Sequence, residues 1–138
     1  MERRRGAAAA AGVRMGLEEL KQLAHERGVD QDPLIRQRLA QLEIEVELLR
    51  LNSWRGLTQI MKRGVPGPEG SLPKWQWSDV NQALTELAVD ILGEDGAAWD
   101  SNWTYRLLRS RANSIEGGTT EILKNIIAER VLGLPKLR

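Results

Sequence analysis

Apolar residues recur every three or four positions through most of this chain, and the longest such stretch opens at Asp32-Pro33. From Ile35 the inward positions fall at Leu39, Leu42, Val46, Leu49, Ser53, Gly56 and Ile60, an alternating four-three spacing that keeps one stripe on one side of a helix. Asp32 can accept a bond from a free N–H of the first turn, and Pro33 fits the first helical position without losing a needed donor. No breaker follows before Gly64, so about 32 residues at 1.5 Å each predict a rod of roughly 48 Å. A rod of that length exceeds what a small monomer covers, and its remaining face is expected to be an interface.

Upstream, Leu17, Leu20, Leu23 and Ala24 predict a short helix over 17–27, ended by Gly28. Residues 1–14, with Arg3, Arg4 and Arg5 ahead of the alanine run at 7–11, are set apart as a tail or clipped helix, leaving 15–138 as the domain. Pro66, Gly67, Pro68, Gly70 and Pro73 crowd into a rigid connection. Ser71 is the candidate cap of the next helix, where Val80, Ala83, Leu84, Leu87, Ala88 and Ile91 are one-sided before Gly93 stops it. Residues 93–96 read as a turn, 101–111 as a shorter helix, and 119–132 as a last one with Ile122, Ile126 and Ile127 on one face. Strand signals are thin: there is no Phe, one Tyr and no sustained period-two alternation. The fold class that follows is all-α, an up-down helical bundle.

Composition narrows the chemistry. At 138 residues one core is expected. The longest unbroken apolar run, at 7–11, is far short of the ~20 residues that cross a bilayer. A soluble protein is expected, with the cytoplasm as its location. The acid-poor, Arg- and Ala-rich start resembles an organellar transit peptide but lacks the Ser content of one. Zero Cys and a single His, His25, remove disulfides, thiolate sites and any site built on two imidazoles. Glu43, Glu45 and Glu47 alternate at two-residue spacing, which turns them to different sides of a helix, so no metal site is expected. His25 is expected at a helix end in solvent. A net charge of +1 and no register of aromatic platforms argue against nucleic acid, although Arg106, Arg109 and Arg111 form a local basic cluster able to hold a phosphate. Trp54, Trp75, Trp77, Trp99 and Trp103 are expected in core or interface packing.

The segment Ser114-Ile115-Glu116-Gly117-Gly118-Thr119-Thr120-Glu121-Ile122 carries the most local information. Two glycines allow a tight turn and a close ligand approach, and Thr119 is placed to cap the following helix, whose free N–H groups favour polar or anionic oxygens. It lacks the Gly-Lys-Ser/Thr ending of a phosphate loop. Glu116 is either a general base, if buried, or the acid that a helix start attracts.

The run from Gly117-Gly118-Thr119-Thr120-Glu121-Ile122 through Asn125-Ile126-Ile127-Ala128-Glu129-Arg130-Val131-Leu132-Gly133-Leu134-Pro135 resembles the C-terminal end of acyl-CoA dehydrogenases. The segments Asp32-Pro33-Leu34-Ile35-Arg36, Gly67-Pro68-Glu69-Gly70-Ser71 with Lys74, and Ala88-Val89-Asp90-Ile91-Leu92-Gly93 are similar to the bacterial branch of that family. The resemblance implies a helical C-terminal domain in dimers or tetramers, with FAD held between it, a β-domain and a neighbouring subunit. It implies an acyl-CoA thioester as substrate, a glutamate that takes its α-proton, and hydride transfer from the β-carbon to the flavin, giving a trans-2-enoyl-CoA. By motif match Glu116 is the candidate base, Thr119 and Glu121 face FAD, Gly117 and Gly118 shape the turn, and Gly93 and Gly96 lie where relatives meet the partner's flavin. This chain carries Gly117 where many relatives have Glu immediately before Gly-Thr. The N-terminal helical domain and the β-domain of such an enzyme are not in this sequence, so it reads as the C-terminal part of one. The alternative is a non-catalytic helical association module or silent partner subunit.

Overall fold

The computed structural model describes residues 2–65, 67–98 and 101–136, with side chains in its first helix from Ala8 onward. Among the described residues the fold has five α-helices: α1 (Glu2–Glu26), α2 (Pro33–Arg63), α3 (Ser71–Leu92), α4 (Asn102–Ser110) and α5 (Thr120–Ile126). Short 3-10 turns lead into α3 at Pro68–Gly70 and follow α3 and α4 at Gly93–Ala97 and Arg111–Ser114, and a π-turn at Ile127–Val131 follows α5. The three long helices pack on one another, and α4 and α5 lie against α3.

Polar pairs across the helices fix their directions. Arg14 reaches Glu47 at 3.4 Å and Lys21 reaches Glu43 at 2.7 Å, so α1 and α2 run antiparallel. Arg38 meets Asp90 at 2.6 Å and Asn52 meets Gln76 at 2.8 Å, which makes α2 and α3 antiparallel as well. The up-down arrangement expected from the short connections is present. Its core is built from Leu17 and Leu20 of α1, Leu42, Val46 and Leu49 of α2, and Val80, Leu84, Leu87 and Ala88 of α3.

The start of α2 follows the sequence expectation. Asp32 is extended and its carboxylate accepts from the backbone N–H of Leu34 at 2.8 Å and of Ile35 at 3.3 Å, while Gly64 closes the helix in the left-handed region at φ 79. Only the middle of the inward stripe, Leu42, Val46 and Leu49, is deeply buried; Ile35, Leu39, Ser53, Gly56 and Ile60 are half-buried.

Three boundaries differ from the sequence reading. The helix expected over 17–27 begins at Glu2 and runs through residues 14 and 15, and Ala10 and Val13 join the core. Gly12 and Gly16 do not interrupt it. Gly16 is buried, and a Cβ there would meet the Arg106 guanidinium at 2.8 Å and Leu84 at 3.5 Å, so its small size admits α4 and α3. Ser71 is not the cap of α3. Gly70 is already helical at φ −61 and ψ −18, so the preceding turn feeds straight into the helix and leaves no extended cap position. In the last helix Leu123, not Ile122, is the buried residue; Ile122 is exposed, and the α-helix passes into the π-turn at Ile127.

The molecule exposes 9124 Å². A compact monomer of 15.5 kDa exposes about 7,200 Å², and the excess of about 1,900 Å² is more than the roughly 800 Å² each partner buries in a standard interface. Several large apolar residues of α2 are among those exposed. Ile44, Leu48 and Leu51 are exposed, each two residues beyond a core position and therefore about 200° around the helix from it. Trp54, Leu57 and Met61, further along α2, are exposed as well. No helix among the described residues is long and apolar enough to cross a membrane.

Candidate functional site

The Gly-Gly segment leaves the Arg111–Ser114 turn, passes over the first turns of α3 and enters α5. Gly117 and Gly118 adopt φ 68 and φ 105, conformations that L side chains rarely take, so both positions demand glycine. A Cβ on Gly118 would also press on Leu123 at 3.3 Å. Thr119 is extended and its hydroxyl accepts from the Ile122 N–H at 3.4 Å, the cap expected from sequence. Glu121, in the first turn of α5, is exposed; its own backbone N–H and the Thr119 hydroxyl hold its carboxyl below the usual range.

Beneath the loop runs a polar relay from α3. Asn81 donates to the Asn113 side-chain oxygen at 2.8 Å, and the Asn113 amide donates to Glu116 at 2.8 Å. Arg109 grips the same carboxylate through two bonds, at 2.8 and 3.1 Å. These two partners, Arg109 first, hold the Glu116 carboxyl below its ordinary value. Glu116 is also exposed rather than buried. A depressed, solvated carboxylate is a weak base, so the condition set from sequence for a general base, burial, is not met in this conformation.

An open groove of about 260 Å³ lies beside this relay, lined by Trp77, Asn81, Tyr105, Arg109, Asn113 and Glu116 among others. Exposed Tyr105, Leu108, Ile115 and Ile122 belong to the same region of α4, the loop and α5. Exposed apolar side chains near a polar groove suit the wall of a ligand cleft.

The remaining site residues are placed elsewhere. Gly93 ends α3 at φ 60 and is exposed, whereas Gly96 is buried. A Cβ on Gly96 would sit 2.7 Å from the Val89 carbonyl oxygen, and the Thr104 hydroxyl donates to the Gly96 carbonyl at 2.5 Å. Gly96 therefore serves packing inside the chain. Lys74, under the Gly117-Gly118 loop, and Gly93 stand 19 residues apart on α3, about 28 Å along its axis. The two glycine turns are thus at opposite ends of one helix.

The basic cluster separates in three dimensions. Arg106 pairs with Glu19 at 2.5 Å, Arg109 with Glu116, and Arg111 with Glu86 at 2.7 Å, so the three guanidinium groups do not converge on one anion. Of the tryptophans, Trp103 packs on the core with Arg106 stacked on it, Trp75 carries Lys124 over its ring, Trp77 is half-buried, and Trp54 is exposed under Arg50. Trp99 lies outside the described residues. Glu43 and Glu47 bind cations of α1, and Glu45 accepts from Gln41. His25, in the last turn of α1, is exposed and bonds Asp30 at 2.9 Å, which raises its pKa. Sequence reasoning assigned no role to Asn81, Asn113 or Arg109 at Glu116. Arg109 and Asn113 are four apart, a spacing that puts them on one side of a helical turn and would have flagged them.

The sequence and the helical fold have counterparts in known proteins. The sequence profile of the acyl-CoA dehydrogenase C-terminal domain matches residues 1–132. Acyl-CoA dehydrogenase IpdE1 of Mycolicibacterium smegmatis is 37% identical over 128 residues, covering 85% of this chain and 30% of its own. Two solved structures share the fold. The Tcur3481-Tcur3483 steroid ACAD superposes with a TM-score of 0.83 at 22% identity, over 99% of this chain and 38% of that one. The ChsE4-ChsE5 complex from Mycobacterium tuberculosis gives 0.76 at 21%, over 94% and 36%. This chain spans about a third of the length of the relatives it matches. With a domain profile covering all but its last six residues, the chain belongs to the acyl-CoA dehydrogenase family, in which it corresponds to the C-terminal helical domain.

Proposed function

We propose that this chain supplies one wall of the flavin cleft and the assembly surface of an FAD-dependent acyl-CoA dehydrogenase, acting in the α,β-dehydrogenation of an acyl-CoA thioester to a trans-2-enoyl-CoA. The observation that carries the proposal is the exposed loop at Gly117-Gly118. It offers backbone with little side-chain cover, a capped helix start at Thr119 and exposed apolar side chains nearby, which fits the edge of a ring system held against it. When bound, the flavin supplies the electron sink of the reaction. Gly117, Gly118, Thr119 and Glu121 would hold it from this chain's side. Gly93 and Gly96, about 28 Å away, would serve the flavin of a neighbouring copy, although buried Gly96 acts only by shaping that turn. The outer face of α2 supports assembly as a homo- or hetero-oligomer, a dimer or tetramer. Names such as Tcur3481-Tcur3483 and ChsE4-ChsE5 mark two-component relatives of the same fold.

A second reading rests on Glu116. Its bonds to Arg109 and Asn113 keep it ionised and occupied, which favours a chain that completes a complex without contributing the base. One experiment separates the two. The chain is purified with a subunit carrying the other two domains of such an enzyme, and flavin absorbance and acyl-CoA oxidation are measured for the native chain and for Glu116→Gln. Retained flavin with turnover lowered at least a hundredfold assigns the base to Glu116. Retained flavin with unchanged turnover assigns the chain a supporting role, and a complex that never holds flavin overturns the flavin proposal.

A further inference from the structure

The backbone at both ends of the loop that carries Glu116 is bonded by one side chain of α3. Lys74 rises from the first turn of α3, half-buried, and all three of its N–H groups are engaged. They donate to the Asn113 carbonyl at 2.5 Å, the Gly118 carbonyl at 3.2 Å and the Ser78 hydroxyl at 3.3 Å. Ser78, fully buried, adds a bond to the same Asn113 carbonyl at 2.8 Å. The two carbonyls bracket residues 114–117, so a single ammonium closes the ends of the loop like a clasp. Its side chain also lies directly under Gly117, where a Cβ would stand 3.6 Å from the Lys74 Cε.

This is an uncommon environment for a lysine. Its hydrogen-bond acceptors are all neutral, with no carboxylate within ion-pair distance among the described residues. Partial burial lowers its pKa, against the pull of the nearby Glu116 and Asp79 charges. Backbone carbonyls are strong acceptors for a cation, and a charge-assisted bond is about twice as strong as a neutral one. Deleting the donors would leave the Gly118 carbonyl to find water and the Asn113 carbonyl with the Ser78 hydroxyl alone, and the backbone would move to reach solvent.

We propose that Lys74 is the positioning residue of the Glu116–Gly118 loop, fixing through its ammonium the backbone that presents Gly117 and Gly118 to the cleft. The significance of that position for catalysis rests on the flavin-cleft reading above; the clasp itself does not.

The chain has no cysteine, which permits a clean test. Lys74→Cys removes the ammonium, and alkylation of that unique thiol with 2-bromoethylamine restores one at nearly the original reach; alkylation with iodoethane gives a neutral counterpart. Hydrogen exchange is followed at Ile115 and Glu116, whose N–H groups bond the Ala112 carbonyl at 3.0 and 2.9 Å. The expected result is at least tenfold faster exchange at these two amides in K74C and in its ethylated form. Aminoethylation should bring protection back to within threefold of the native chain, with the amides of α1 and α2 unchanged throughout. Unchanged exchange at 115 and 116, equal acceleration in every helix, or equal recovery with the neutral group would each overturn the proposal. Should K74C not fold, competitive acetylation of the native chain decides: Lys74 labelled at least tenfold more slowly than Lys62 and Lys136 supports the clasp, and equal labelling refutes it. Added FAD in the native exchange experiment tests the other reading separately, since failure to slow the loop amides would count against flavin contact and leave the lysine result intact.

Discussion

Two glycines with opposite surroundings show how much a single methyl group decides. A Cβ on Gly96 would meet the Val89 carbonyl, a backbone atom with no room to retreat, and the Gly96 carbonyl anchors Thr104. Gly96→Ala is expected to lower stability by about 1–3 kcal/mol, the usual cost of forcing an extra carbon into a packed site, read as a lower melting temperature in calorimetry. Gly12 lies inside α1 with nothing within 4 Å of a built Cβ, so Gly12→Ala should raise stability by about 0.5–1 kcal/mol through reduced backbone freedom in the unfolded chain. Among charged residues, Glu43 bridges Arg14 and Lys21, and these bonds lower its pKa from 4.5. A depressed folded-state pKa contributes stability that is complete above the unfolded value and disappears as pH falls through the folded one. The stability gap between the native chain and Glu43→Gln should therefore be largest near neutrality and shrink as pH is lowered below about 4.5 and on through the folded value; a constant gap in urea titrations across that range would contradict this.

Individual helices differ in how openly the sequence announces them. Both ends of α2 are marked by residues whose local chemistry suffices, Asp32-Pro33 at one end and Gly64 at the other, and its seam is filled by large apolar side chains. Asp32→Ala removes the one oxygen that accepts from two N–H groups and should cost about 1 kcal/mol, visible as reduced protection at Leu34 and Ile35 in hydrogen exchange. The beginning of α1 was concealed for the opposite reason. Alanines at 7–11 form helix well but carry little of the apolar periodicity that reveals a buried face, and Gly12 and Gly16 imitate a break. Whether Gly16 ends a helix or admits a neighbour depends on Arg106 and Leu84, which are distant in sequence. The register of α5 was ambiguous because four branched aliphatic residues, Ile122, Leu123, Ile126 and Ile127, compete for one inner face, and packing against α3 selected Leu123. At the site, the turn and its Thr119 cap were legible because glycine conformation and capping are local. The bonds from Lys74 to residues 39 and 44 positions away were not, since no local pattern encodes a partner brought in by the fold.

Taken as a whole, the molecule has a finished side and an unfinished one. Leucines of α1, α2 and α3 close the interior, whereas Ile44, Leu48 and Leu51 repeat the same chemistry on the exposed outside of α2 without a covering partner among the described residues. Replacing Leu48 and Leu51 together by Gln is expected to weaken self-association at least tenfold in sedimentation velocity, with helix content by circular dichroism unchanged. Unaltered association would move the interface elsewhere. The spacing of the two glycine turns along α3 has a further consequence for stoichiometry. A rigid spacer of that length keeps one protomer from offering both turns to one face of the same bound ring, so a pocket that uses both must be shared between copies. Cofactor retention would then become a property of concentration: dilution past the point of dissociation would bleach the preparation before any helix had unfolded.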